Sequence, residues 1–585
     1  MPILILNFIH FTKKILPQNL TKKTESPFSL ERKAGNEYLP KPKKMKILKH
    51  LGLVLFLIGL SIFTGVLFTG SFNLSSTELT SYVSKKGYKS ELILNNLKKA
   101  VVTNEELTIF EFSSRVREAY KDSNDHYDAL INKFNEVKDW DKKGEQYQYK
   151  IYGKPHTLSF ELAKIAGKGT AKELPGTLWL LTFGLGILGA LLFILPNLFL
   201  LGKAGIKNNG IYLESSTNRG FIAWLVLVYL VLFYLVLYFM PDYLVNWTYI
   251  LDPISKILNG GPASQWFVYG FLYCIIMLVM ATRMYIKYRH NKYQLIRTTS
   301  VLFFQIVFAF LIPEIMTSLN MPGYDFKNAF PLDYDFFFDW NLNSLLNSGG
   351  IGIFILVWGI ILTLIIVPVM VYFFGKRWYC SWVCGCGGLA ETLGDPYRQH
   401  SDKSLNAWKL ERWLIHFVLL FSLVMTLITL YTYFTGTDSL LGINSQWIKD
   451  TYSFLIGAWF AGVIGTGFYP IFGNRVWCRF GCPLAAYLGF VQRFKSRFRI
   501  TTNGGQCISC GNCSTYCEQG IDVRAYAQKG ENIVRSSCVG CGICSAVCPR
   551  GVLKLENGPE NGRINPTDIL LGNDVNLMEL INNKQ

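Results

Sequence analysis

Charge is scarce in this sequence. Asp, Glu, Lys and Arg make up 17% of its 585 residues and apolar residues 50%, where a soluble chain of that size carries roughly a quarter charged residues. The shortage argues for a membrane protein. Histidine is scarce as well, at seven residues. A membrane b-haem needs two axial histidines, yet only His416 is well placed within an apolar stretch, and no C-x-x-C-H attachment motif occurs. Haem is therefore not expected. Acidic residues are outnumbered, giving a formal charge of +18, an excess that suits nucleic acid or an anionic membrane surface. The basic residues, however, sit beside apolar runs, in YIKYRHNKYQLIR (285–297) and QRFKSRFR (492–499). That is how cytoplasmic membrane loops look, so the charge reports topology and no nucleic-acid partner is expected.

Eight stretches are apolar and long enough to span a bilayer, at 51–70, 177–201, 221–240, 266–284, 299–318, 349–374, 413–435 and 452–472. Lys and Arg collect in alternate connections: KPKKMK (41–46), GKAGIK (202–207), YIKYRHNK, GKR (375–377) and the run ending at Arg499. The intervening connections are poor in them. Residues 319–348 carry four Asp against one Lys, and 436–451 two Asp against one Lys. The positive-inside rule then places both termini in the cytoplasm of a bacterial inner membrane. The expected division is a cytoplasmic segment 1–44, an uncleaved anchor 45–70, an outer α/β domain 71–176, a membrane bundle 177–499 with two cysteine-bearing cytoplasmic loops, a ferredoxin domain 500–556 and a tail 557–585. The fold class is mainly α. In the outer domain, helices are expected around 88–100 and 125–138 and a strand at QYQYKIY (146–152); His126 and His156 read as solvated residues.

Fourteen cysteines are unevenly placed: eight between 507 and 548, five just after two apolar segments, and Cys274 alone in a third, where it reads as a small buried side chain. Cys507, Cys510, Cys513 and Cys517 form C-x2-C-x2-C-x3-C, and Cys538, Cys541, Cys544 and Cys548 repeat it before Pro549. Three thiolates at that spacing wrap one face of a four-iron cubane and the fourth reaches the other cluster. One cluster then takes Cys507, Cys510, Cys513 and Cys548, and the other Cys538, Cys541, Cys544 and Cys517. Gly511, Gly540 and Gly542 suit the tight loops. A zinc ribbon pairs two C-x2-C knuckles and has no use for the remaining cysteines. Over about 500–556 the sequence resembles the bacterial two-cluster ferredoxins. Glu518 departs from them, standing where the first run usually has proline; a local change of turn or potential is expected, with no lost cluster.

The spans at 349–374 and 452–472 are followed by one phrase. Gly375-Lys-Arg377-Trp-Tyr-Cys380-Ser-Trp382-Val-Cys384 aligns without gaps on Gly473-Asn-Arg475-Val-Trp-Cys478-Arg-Phe480-Gly-Cys482, at an offset of 98 residues. Duplicated membrane segments place sites at the repeat interface. Cysteines four apart lie on one helix face, so two facing pairs, Cys380 with Cys384 and Cys478 with Cys482, would supply the four thiolates a cluster needs. Packed reduced thiols and a redox-active dithiol are the other readings of the same residues. Cys386 is a neighbouring non-ligand or alternative ligand.

Two C-x3-C motifs after transmembrane helices, followed by a two-cluster ferredoxin, resemble the NapH- and NosR-like membrane ferredoxins over about 350–556. The second motif keeps the family's following proline, in Cys482-Pro483, whereas the first reads Cys384-Gly385-Cys386. The layout is most similar to the NosR-like branch, but 71–176 lacks that branch's small-residue flavin motif, so no covalent flavin is expected. The resemblance implies an electron carrier linking the quinone pool to a redox partner, a quinol dehydrogenase-type component. A maturation factor for a respiratory metalloenzyme is the alternative. Glu314, after Pro313 in the fifth stretch, is a candidate proton acceptor at a quinol site. Trp378, Trp382, Trp413 and Trp477 read as interface anchors.

Overall fold

The computed structural model describes residues 43–88, 90–103, 105–136, 140–149, 154–200, 216 and 218–557. The chain divides into two units, Met1–Leu48 and Lys49–Gln585. In the first, only the opening turns of one helix are described; nearly all of the expected segment 1–44 and tail 557–585 lies outside the described residues.

Seven helices among the described residues are long and apolar enough to cross a membrane: Met45–Phe68, Pro175–Leu200, Phe221–Phe239, Gln265–Lys287, Lys292–Ser318, Gly349–Phe374 and Leu405–Thr435. Each coincides with an expected stretch, and the protein is a polytopic helix bundle. The eighth stretch is helical too, from Ser445 to Gly467 with a turn at Phe468. Its first turns are polar, with Gln446, Lys449 and Asp450, and Lys449 pairs with Asp339 at 2.9 Å. The first two spans cross backbone to backbone. A Cβ on Gly52 would lie 2.6 Å from the Phe193 nitrogen, and one on Gly189 would run into Phe56. Small residues permit this approach, which replaces a hydrophobic driving force that lipid cannot supply.

Residues 71–176 fold mainly as helices, Ser76–Lys86, Glu91–Val101, Ile109–Glu136, Trp140–Tyr149 and Pro155–Ala166. Ser75 and Glu78 form a reciprocal cap at the first of them, and Ile93, Leu97, Phe112, Val116 and Leu162 fill the core. Among the described residues its extended pairing is slight, Ser71–Phe72 against Gly167–Lys168 with one further bridge from Phe72 to Leu107. The strand expected at 146–152 is instead the end of a helix as far as Tyr149, with 150–152 outside the described residues. Alternating Gln and Tyr mimic a strand period, but Tyr149 stacks on Tyr127 of the preceding helix at 6.0 Å, and tertiary packing decides. His156 approaches Arg117 at 3.3 Å and the buried Asp242 at 3.7 Å; His126 is exposed.

The connection 319–348 leaves the end of the bundle and descends into it. Residues 319–338 hold no helix or strand, and such backbone survives at membrane depth only where protein groups take up its polar atoms. They do so here. Trp358 Nε1 donates to the Phe326 carbonyl at 2.9 Å, Tyr379 Oη to that of Lys327 at 2.8 Å, and the Phe330 amide to Thr363 Oγ1 at 3.1 Å. Thr363 lies 14 residues past Gly349 in its span, a depth of about 21 Å at 1.5 Å per residue.

The C-terminal domain is small. Strand Phe498–Thr501 pairs antiparallel with Lys554–Asn557, and helices Asn512–Thr515 and Ile543–Ala546 each open on a left-handed glycine, Gly511 at φ 78° and Gly542 at φ 76°.

Because the first two spans touch through glycine, Gly52→Leu should force them apart. Overpacking of this kind costs about 1–3 kcal/mol, so the variant is expected to unfold several degrees lower in a detergent thermal melt.

Candidate functional site

Cys507, Cys510, Cys513 and Cys548 line one cavity of about 360 Å³. Cys517, Cys538, Cys541 and Cys544 line a second of about 370 Å³. The fourth cysteine of each run therefore crosses to the other run's cavity. The two runs share their backbone: Tyr516 and Val547 amides close matching turns on Asn512 and Ile543, and Gly520 and Gly551 amides close the next on Cys517 and Cys548. Gly520 and Gly551 have φ 66° and 63°. Glu518 thus occupies the proline position without altering the turn. The sets differ in exposure. Cys510 is exposed and Ile508 beside it is 54% exposed, whereas Cys538 and Cys544 are buried.

The second cavity rests on the duplicated phrase. Ser381, inside the first C-x3-C motif, donates to the Val539 carbonyl at 2.8 Å, and Val539 lies between Cys538 and Cys541. Lys376 Nζ donates to the Ser536 carbonyl at 3.2 Å, and Gln492 Nε2 to that of Cys538 at 3.0 Å. Tyr293 reaches the Gly540 carbonyl, and Gln294 and Arg297 that of Cys541, each at 2.8 Å.

Cys380, Cys384, Cys478 and Cys482 are buried in one apolar cluster with Leu362, Val367, Val371 and Leu484, and Cys386 packs against it. The pairs do not lie on one helix face, as four-residue spacing suggested. Each motif is a short turn followed by a new helix that its second cysteine caps: Cys384 before Gly385–Thr392 and Cys482 before Pro483–Lys495. Pro483 takes the first helical position, where its missing N–H costs nothing, and Gly385 occupies the same place. The Cys384 amide bonds Tyr379 at 2.8 Å and that of Cys482 bonds Trp477 at 2.9 Å. Gly375 and Gly473 open the phrases at φ 67° and 90°, the left-handed region glycine enters freely. Burial pushes the Cys380 thiol up to about 12, whereas a hydrogen bond from Cys386 brings that of Cys384 down to about 6.

Beside both sits a buried ionic network that no motif announces. Glu518 Oε2 meets Arg398 at 2.5 Å and its Oε1 meets Arg475 at 3.0 Å. Arg475 also holds Glu391 at 2.5 Å, Arg398 bridges Glu391 at 3.1 Å and Asp395 at 2.8 Å, and Arg297 pairs with Glu391. Lys287 and Arg283 complete it on Asp395 at 2.6 and 2.8 Å. Burial would raise the Glu518 carboxyl, but Arg398, Arg475 and Arg297 hold it down at about 2. Five cations face three carboxylates, leaving a positive surplus against the Cys541 loop. Glu391, Glu518 and Cys541 offer ligand atoms within 4.8 Å of one another, yet arginines already occupy both carboxylates. Thiol sets of four, each around its own cavity, and a positive surplus beside them fit anionic thiolate-ligated clusters.

Known proteins bear on the same residues. The 4Fe-4S dicluster domain family matches residues 478–553, and a 4Fe-4S binding domain family matches 355–404. The chain thus carries 4Fe-4S domains over these two stretches. It is similar to YccM of Escherichia coli (strain K12), a protein named for electron transport, at 26% identity over 159 residues, 25% of this chain and 43% of that protein. It is also similar to the methylamine utilization ferredoxin-type protein MauN of Methylobacillus flagellatus, at 28% over 158 residues, 26% of this chain and 53% of that protein. The chain thus spans about half the length of these relatives. No solved structure matches. Both relatives are consistent with the NapH-like resemblance.

Other expected residues fall elsewhere. Glu314 is half-buried and accepts from Asn259 Nδ2 at 2.6 Å. His416 is exposed on the bundle surface and Cys274 is buried. Removing one partner of a buried ionic network costs about 3–5 kcal/mol. Glu518→Gln and Glu518→Pro are both expected to lower the unfolding temperature, and limited proteolysis should then cut within 500–556 first.

Proposed function

We propose that this protein carries electrons, one at a time, between the quinone pool and a redox partner across three thiol groups in series. The observation that carries the reading is the Ser381–Val539 hydrogen bond, which ties the buried membrane cysteines to the Cys538–Cys541 loop. A four-iron cluster held by each cysteine set supplies a one-electron carrier. Cys507, Cys510, Cys513 and Cys548 would hold the outer one, Cys517, Cys538, Cys541 and Cys544 the middle one, and Cys380, Cys384, Cys478 and Cys482 a third at the membrane. The family match over 355–404 supports the third. Leu362, Val367 and Val371 keep water from that site, while the exposed Cys510 and Ile508 leave the outer one open to a partner protein. The Lys- and Arg-rich connections at the ferredoxin end support a cytoplasmic position for that end. The relatives' names, electron transport and ferredoxin-type, agree with the reading.

Anaerobic purification with iron and sulfide analysis tests it, together with EPR after addition of a quinol. Three sites predict about twelve irons per chain and two predict about eight. Cys380→Ser is expected to remove about four irons and to abolish quinol-driven reduction, while dithionite still reduces the ferredoxin pair. Zinc in place of iron would sink electron transfer. A fully loaded protein that quinol never reduces would favour maturation.

A further inference from the structure

Arg475 stands between the membrane cysteines and the second ferredoxin set. Its Nη1 donates towards the Cys478 sulfur at 3.6 Å and to the Cys380 carbonyl at 3.3 Å. Its Nε lies 3.0 Å from Glu518 Oε1. Glu518 follows Cys517 in the chain and lines the cavity of the second set. Carboxylate oxygens of Glu518 and Glu391 lie within 4.8 Å of the Cys541 sulfur. The Arg475–Glu518 pair is thus a dipole, with its cation at the membrane cysteines and its anion at the ferredoxin cysteines. Both residues are 1% exposed, so solvent ions screen little of either charge.

The repeated turn does not by itself demand this arrangement. Arg377, at the same place in the first copy, turns instead to Asn557 at 3.0 Å and to the Phe498 ring at 4.3 Å. Net charge and hydrogen bonds to the sulfurs set the potential of a thiolate-ligated cluster. A neighbouring cation favours the reduced form, which carries one more negative charge, and a neighbouring anion opposes it.

We infer that the Arg475–Glu518 pair sets the gap in reduction potential between the membrane and middle sites, raising the first and lowering the second. The inference rests on the three-site reading and adds which way its inner step leans. One electron passes between the two sites and no proton, so one is oxidised as the other is reduced. Arg475 acts most on Cys478, whose sulfur it faces, and Glu518 acts most on Cys541. The orientation of the pair makes the membrane side the resting place of that electron.

Redox titration of the full-length protein in detergent, followed by EPR, tests this. The signal lost in Cys380→Ser is assigned to the membrane site, and the one altered in Cys510→Ser to the outer site. Arg475→Gln should lower the membrane signal and Glu518→Gln raise the middle one, so removing opposite charges narrows the same gap. Each is expected to change the equilibrium between the two sites at least tenfold, which is about 59 mV for one electron. The outer signal serves as the reference, since neither residue lines its cavity. Arg475→Lys keeps the charge and should keep most of the gap, which a purely structural role for the guanidinium would not allow. Should either Gln variant lose iron, Glu391→Gln, which neutralises the other carboxylate near the Cys541 sulfur, decides by the same narrowing. A gap that stays unchanged, or that one substitution narrows and the other widens, overturns the inference while the three-site reading stands. A wild-type protein with about eight irons and no signal that Cys380→Ser removes overturns that reading and the inference with it.

Discussion

Glu518 is a carboxylate buried from solvent and clasped by Arg398 and Arg475. Desolvating such groups costs several kcal/mol each, and only good geometry on every member offsets it. Glu391, on the helix after the first cysteine motif, holds both arginines and Asp395, just beyond that helix, holds Arg398, and Arg283, Lys287 and Arg297 close the network from the ends of two spans. The members are correct together or costly together. Their common solution fixes the ferredoxin domain in one register on the bundle, and that register sets Ser381 against Val539.

The duplication supplies the two halves of this seat unequally. In the first copy, Lys376 reaches Ser536 and Arg377 lies over the Phe498 ring at 4.3 Å and bonds Asn557 at 3.0 Å. In the second, Asn474 and Arg475 at the same positions both address Glu518. One ancestral turn therefore serves twice, bringing two thiols inward and two polar side chains outward each time. The copies differ in which residues of one small domain they grip.

What was legible in the sequence is what is encoded locally. Cysteine spacing within ten residues dictates loops around a cavity, and twenty apolar residues dictate a span. Interactions between distant segments that no motif or repeat encodes were not legible. Glu391 and Asp395, in the otherwise basic connection after the sixth span, were a signal: acidic residues there answer no topological need. Four Asp in 319–348 were read as an outer connection, because charge counts locate a loop's ends and say nothing of its depth. The supposed helical face of Cys380 and Cys384 failed for a related reason. Spacing of four fits one helix turn, but a helix that stops and is capped again by the second cysteine satisfies it equally.

The two ferredoxin cavities share one fold and differ in their walls. Cys510 stands in solvent, while Cys538, Cys544 and the Cys541 loop lie under the bundle. Dioxygen and chelators act on what they can reach, so damage in air begins at the solvent-facing set and stops at the membrane-facing one. In a preparation handled aerobically, iron content is then expected to fall in steps rather than continuously.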